Sequence, residues 1–199
     1  MAVNLDAEAR LAGLIEAMAA NSDTQALPSF SWGEKLAAGA LAGILAAILM
    51  TGSLMAYSEA IGAGVWMPLK TLAALVYGVE ALLAGSLAIS TGAGIQLGFS
   101  IALGILFGLA VSRRTSVVLA LFAGLAIGIA IWAAMELYVL PFWDPTMAAR
   151  IALMPVAYFV AHVLFGIGLG ITPLLVRALS RGRVGETPRM ERSVKPLRS

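Results

Sequence analysis

Residues 36–57 read LAAGALAGILAAILMTGSLMAY, twenty-two positions without a charged side chain. As an α-helix rising about 1.5 Å per residue, the stretch is about 33 Å long, enough to cross a hydrocarbon core of about 30 Å. Three more runs share its character. Residues 95–111 stop at Arg113-Arg114, residues 117–138 stop at the Pro141-Phe142-Trp143-Asp144-Pro145 cluster, and residues 156–176 stop at Arg177. Pro173 lies near the end of the last run, where a kink is cheap. The expected fold is all-α: a polytopic membrane helix bundle of four transmembrane helices.

Composition agrees with that reading. The chain is 60% hydrophobic and 12% charged, against about 25% charged in soluble domains. In water, too few charges would remain to cover the surface; in a bilayer, lipid-facing side chains are apolar. The absence of Cys excludes disulfides, thiolate metal sites, iron–sulfur clusters and lipidation on Cys. The first nine residues hold Asp6 and Glu8 but no Lys or Arg, so they lack the basic region of a secretory signal. The spans themselves are expected to direct insertion.

Residues 71–89 are apolar enough to span, but they contain Gly78, Glu80 and Gly85 and are framed by Lys70 and Ser90-Thr91-Gly92. Charge decides how to read them. With four spans, Arg10, Lys35, Arg113, Arg114 and the seven basic residues from Arg177 to Arg198 share one side, eleven of the thirteen in the chain. Only Lys70 and Arg150 fall on the other. A fifth span would separate the Arg pair and the basic tail from the N-terminus. The positive-inside rule therefore selects four spans with both termini in the cytoplasm of a bacterial inner membrane. Residues 71–89 become a re-entrant or interfacial helix, whose backbone must be covered by protein at that depth. The domain plan follows. Residues 1–35 are a cytoplasmic amphipathic helix (residues 4–20, with Leu11, Leu14, Ile15 and Met18 on one face) and a linker. Residues 36–177 are the bundle, and residues 178–199 are a basic, disordered cytoplasmic tail. No aromatic residue interleaves with the tail's charges, which argues against nucleic acid and leaves anionic headgroups as the surface it meets.

Glu59, Trp66 and Pro68 recur 77 residues later as Glu136, Trp143 and Pro145. Each E-x6-W-x-P copy is followed by a returning helix with Leu-Phe-Gly, at Leu106-Phe107-Gly108 and Leu164-Phe165-Gly166, an alignment that sets His162 opposite Gly104. The first copy carries 19 extra residues between Trp and Phe, about the length of the ambiguous segment. The bundle therefore reads as two parallel span–elbow–span repeats, residues 36–112 and 115–177, with a seam between them where a ligand or partner is first sought. Every span also carries a small-residue ridge: Gly39 and Gly43, Gly104 and Gly108, Gly124 and Gly128, Gly166 and Gly170. Glycine four residues apart lets helix backbones approach closely, and close packing drives association in lipid.

Chemistry-bearing residues are few. Glu59 and Glu136 sit near the far ends of their spans, close to Lys70 and Arg150. They read either as an interfacial polar cluster or as a site. Glu80 needs a partner or a proton if its segment dips into the bilayer and is ordinary if it meets water. His162 is the single His. It reads as a neutral residue bonded to a neighbouring helix, or as a proton relay or axial haem ligand completed by a second chain. One His and no Cys leave no zinc set. Trp66 and Trp143 read as headgroup anchors, and Tyr57, Trp132, Tyr138 and Phe142 fit the same belt. No nucleophile, P-loop or dinucleotide motif is present.

The Gly-rich span, the W-x-P elbow and a returning span with His162 ahead of Phe165-Gly166 resemble small uncharacterised bacterial membrane proteins of the domain-of-unknown-function type. The resemblance covers roughly residues 36–176. It implies the four-span fold and no activity. From the residues, the first expectation is a non-catalytic membrane subunit packed in a larger complex with lipid, other subunits or a second copy. A small transporter or channel along the seam is the alternative, and a haem- or quinone-linked redox subunit is the third reading.

Overall fold

The computed structural model describes residues 9–16 and 30–185, and within them every regular element is helical. The short α1, residues 9–16, leaves Leu11, Leu14 and Ile15 exposed on one face. Met18 and the remainder of the amphipathic segment lie outside the described residues. α2 (Trp32–Ala60) opens on a capping box. Ser31 Oγ accepts from the Glu34 backbone N–H at 3.2 Å, and the Glu34 carboxylate accepts from the Ser31 N–H at 2.8 Å. The chain leaves α2 through Gly62 and Gly64, with φ of 76° and 96° that only glycine adopts cheaply. It then forms α3 (Met67–Tyr77), a 3₁₀ turn (Gly78–Leu82) and α4 (Ser86–Ala110). α5 (Val117–Ala134) continues through a π turn (Met135–Val139) into α6 (Leu140–Trp143). α7 (Pro145–Ile151), α8 (Pro155–Gly170) and α9 (Thr172–Gly185) complete the described chain.

Four helical stretches are long and apolar enough to cross a membrane: Trp32–Ala60, Ser86–Ala110, Val117–Trp143 and Pro155–Arg181. The chain is a multi-pass membrane protein. α3, with 11 residues, measures about 17 Å and cannot cross. The second span begins at Ser86, nine residues earlier than its apolar run. Ser90, Thr91 and Gly92, expected to frame a separate helix, belong to its first turns. Their polar groups are met locally: Ser90 Oγ donates to the Leu87 carbonyl at 3.0 Å, and Tyr77 and Thr91 share a hydroxyl contact of 3.4 Å. The α9 helix continues to Gly185, eight residues into the stretch expected to be disordered. Extending an existing helix needs no new nucleus. Residues 186–199 lie outside the described ones.

Two helix hairpins make the bundle. In the first, a Cβ on Gly39 would collide with the Gly104 carbonyl of α4, and one on Gly43 with the Ser100 carbonyl. In the second, Gly124 meets the Gly166 carbonyl of α8 in the same way, and Gly128 the His162 carbonyl. Backbone lies on backbone at both crossings, which maximises van der Waals contact where apolar burial supplies little drive. The hairpins meet through α2 and α8: Gly168 lies so close to Ala46 that a Cβ would sit 2.6 Å from its Cα. From that contact toward the Arg113-Arg114 loop, the seam is filled by Ala38, Phe107, Leu169 and Val176, with Phe30 across the end. Three cations tie this loop end. Lys35 donates to the Leu109 carbonyl at 3.3 Å, Arg177 donates to the Thr115 carbonyl at 2.9 Å, and Arg113 stacks over Phe30 at 4.5 Å.

Two prolines break the second hairpin's regularity. Pro173 cannot donate to the Leu169 carbonyl, and the Thr172 hydroxyl donates to it instead at 2.6 Å. Pro141 cannot donate to Leu137 and crowds that carbonyl. The helix widens by one π turn just ahead of it, with the Leu140 N–H reaching back to the Met135 carbonyl.

Candidate functional site

Past the Gly168–Ala46 contact, toward the elbows, side chains grow. α2 presents Met50 and Leu54, and α8 presents Phe165, His162 and Tyr158. Small residues let the hairpins touch below, and bulky ones hold them apart above. The result is a cavity of about 410 Å³ in the elbow half of the seam. This lies within the range of about 300–1,000 Å³ usual for small-molecule sites. α3 closes one side through Pro68–Leu75, seated against α4 where Gly92 meets the Leu69 backbone. Leu140, Met147 and Ile151, from α6 and α7, pack together and close the other. Asp144 starts α7 by accepting from the Met147 N–H at 2.9 Å.

The walls are mostly apolar, and besides Thr51 and Thr71 their polar side chains come in three pairs, each four residues apart on one helix face. From α4 come Gln96 and Ser100, with Gln96 Nε2 donating to Ser100 Oγ at 3.5 Å and approaching Met50 Sδ at 3.4 Å. Tyr158 and His162 come from α8. His162 Nδ1 lies 2.8 Å from the Tyr158 carbonyl. A carbonyl only accepts, so Nδ1 carries the proton, and in the neutral imidazole Nε2 is then the acceptor. The third pair, Trp132 and Glu136, comes from α5 and its π turn. Trp132 Nε1 and Glu136 Oε1 are both buried, and the indole N–H is the group of the chain that faces the carboxylate. The indole is set by an edge-to-face contact with Phe159, ring centroids 5.1 Å apart.

The structure separates the expected polar cluster. Glu136 and His162 line the cavity. Glu59 is exposed in the last turn of α2, and Glu80 is exposed in the 3₁₀ turn. Lys70 donates to the Leu82 carbonyl at 3.4 Å, closing that turn. The side chain of Arg150 lies outside the described residues. Trp66 and Trp143 are exposed at the elbows, each just ahead of a proline in the first turn of α3 or α7. Among the described residues, no three His, Asp or Glu side chains converge on a metal-binding point.

No family model, curated protein or solved structure matches the chain. The site therefore rests on its geometry. Gln96, Ser100 and Tyr158 are cavity residues that sequence reasoning passed over, and Trp132 was assigned to the interfacial belt. Two signals bear on them. Polar residues spaced by four within apolar spans mark one helix face. The glycine ridges also keep a different interval from the elbows: Gly39 and Gly124 are 85 residues apart, Glu59 and Glu136 only 77. Measured from its ridge, Glu136 therefore sits eight residues deeper than Glu59, about 12 Å along a helix. The return helices differ from the Leu-Phe-Gly alignment in the same manner. Backbone contact makes Ser100, not Gly104, the counterpart of His162, since each lies over the second ridge glycine of its hairpin partner.

Proposed function

We propose that this chain is a non-enzymatic membrane protein that binds a small, membrane-partitioning molecule in the seam between its hairpins, as a small transporter or carrier does. One observation carries the reading. An apolar cavity inside the bundle is lined by polar pairs from three helices, among them a carboxylate whose neighbour in the chain is a single indole N–H. A mostly apolar pocket with a few convergent polar groups is the usual form of a small-molecule site. The test is extraction. Small molecules released from protein purified in mild detergent are compared by mass spectrometry with those from Ile95→Trp, which fills the cavity. A species retained at near one per chain by the wild type and lost from the variant supports the reading. Equal content in both sinks it.

The matched crossings, Gly39 on Gly104 and Gly124 on Gly166, support two repeats that run the same way through the membrane, which this reading takes to be a bacterial inner membrane. The basic loop end supports a cytoplasmic assignment for both termini. The chain has no native Cys, so single cysteines report topology directly. Ser112→Cys is expected to be labelled only from the cytoplasm, and Ile61→Cys, at the exposed elbow, only from outside. The reverse pattern overturns the orientation.

A second reading, a subunit of a larger complex, is favoured by one feature. Gly94 and Gly98 form a ridge on α4 that meets nothing within 4 Å, and Gly52 on α2 is equally bare. Such ridges are where another helix packs closely in lipid. Stoichiometric partners after mild solubilisation support it. A lone monomer in native membranes counts against it.

A further inference from the structure

We infer that the ligand of the seam is a lipophilic monovalent cation, with Glu136 as its counter-charge; the inference rests on the ligand-binding reading above. Glu136 is the acidic side chain among the residues lining the cavity, and Lys and Arg are absent from that lining among the described residues. Four of the described cations are engaged elsewhere: Lys35, Lys70 and Arg177 donate hydrogen bonds to backbone carbonyls, and Arg113 covers Phe30. The indole N–H of Trp132 gives Glu136 a neutral donor but no counter-charge, and a carboxylate without one in a low-dielectric site is costly until a proton or a cation neutralises it. An exogenous cation supplies what the chain does not.

The rest of the site selects the kind of cation. A small hydrated ion has to exchange its water for oxygen ligands, and these walls are mostly apolar. A cation with an apolar body keeps favourable contacts on every side. Trp132, Tyr158 and Phe165 offer aromatic rings whose negative faces attract positive charge in a desolvated setting. His162 Nε2, left as an acceptor by the Nδ1 contact, adds a further site for a ligand N–H. An anion meets Glu136 unfavourably, and a neutral quinone leaves its charge uncompensated. The site thus fits an amine or quaternary onium ion with hydrophobic arms.

The experiment uses the full chain in nanodiscs with three probes of similar shape: tetraphenylphosphonium, tetraphenylborate and neutral triphenylphosphine oxide. Saturable binding is followed by equilibrium dialysis and by quenching of tryptophan emission. The expected result is tetraphenylphosphonium binding near one per chain, at least tenfold tighter than the other two. Glu136→Gln is expected to lose at least tenfold in affinity for the cation while binding the neutral probe as the wild type does. If tetraphenylborate binds as tightly as the cation, or Glu136→Gln binds the cation unchanged, the inference falls and the ligand-binding reading stands. If no probe binds saturably, both fall. Should Glu136→Gln not fold, the wild-type charge series alone decides.

Discussion

The two hairpins share one crossing and differ in how they reach their elbows. In the first, α2 runs unbroken to Ala60 and delivers Glu59 to the exposed end of the helix. In the second, α5 is shorter relative to its ridge, and a π turn ahead of Pro141 carries Glu136 into the seam. The same residue type in the same local motif is surface in one copy and cavity wall in the other. Depth relative to the glycine ridge, not position relative to Trp and Pro, separates them.

The comparison breaks most severely if a crossing is destroyed. Gly124→Leu or Gly39→Leu forces a side chain into a facing backbone carbonyl. Either is expected to cost about 3 kcal/mol or more and to abolish monodisperse protein on size-exclusion chromatography. Gly94→Leu, which points into open space, is the matched control and is expected to elute normally. If the ridge and control variants behave alike, the backbone crossings do not hold the hairpins together.

Removing the cause of the asymmetry is the next step. Pro141→Ala restores an N–H where the π turn now compensates for its loss. The variant is expected to raise thermal stability, since an interior proline costs about 3 kcal/mol in a regular helix. Regularising the turn also rotates Glu136 away from the seam, so cation binding is expected to fall severalfold. A stabilised protein with unchanged binding would show that the π turn does not set the position of Glu136.

Exchanging the glutamates sharpens the contrast. Glu59→Gln is expected to leave tetraphenylphosphonium affinity within twofold of wild type, against the tenfold loss, about 1.4 kcal/mol, expected at Glu136. Equal effects at both positions would restore the symmetric reading. The smallest effects belong to the polar pairs. His162→Ala removes the hydrogen bond to the Tyr158 carbonyl. Ser100→Ala removes the contact from Gln96. Each is expected to cost about 1 kcal/mol, read as a small shift in thermal midpoint in detergent. If Ser100→Ala is neutral while His162→Ala is severe, their equivalence across the hairpins is positional and not energetic.

Four helices of spanning length were legible from composition because lipid imposes a simple rule. Every backbone group must be satisfied within the segment, and every lipid-facing side chain must be apolar. The ridge glycines were legible too, since close helix approach needs them. Boundaries were less so. Ser90-Thr91-Gly92 looks like a loop in one dimension, yet Gly92 is where α3 seats against α4.

The site itself was half visible. Glu136 and His162 stood out as ionisable residues in apolar runs, but so did Glu59 and Glu80, which the fold leaves exposed. Gln96 and Ser100 carried no obvious mark. Sequence alone determined that this chain crosses a membrane with four helices, because that outcome depends on the length and polarity of separate segments. Which polar residues share a cavity depended on two helix crossings, one π turn and the Gly168–Ala46 contact. Those are relations between segments distant in the chain, so only the tertiary structure decided them.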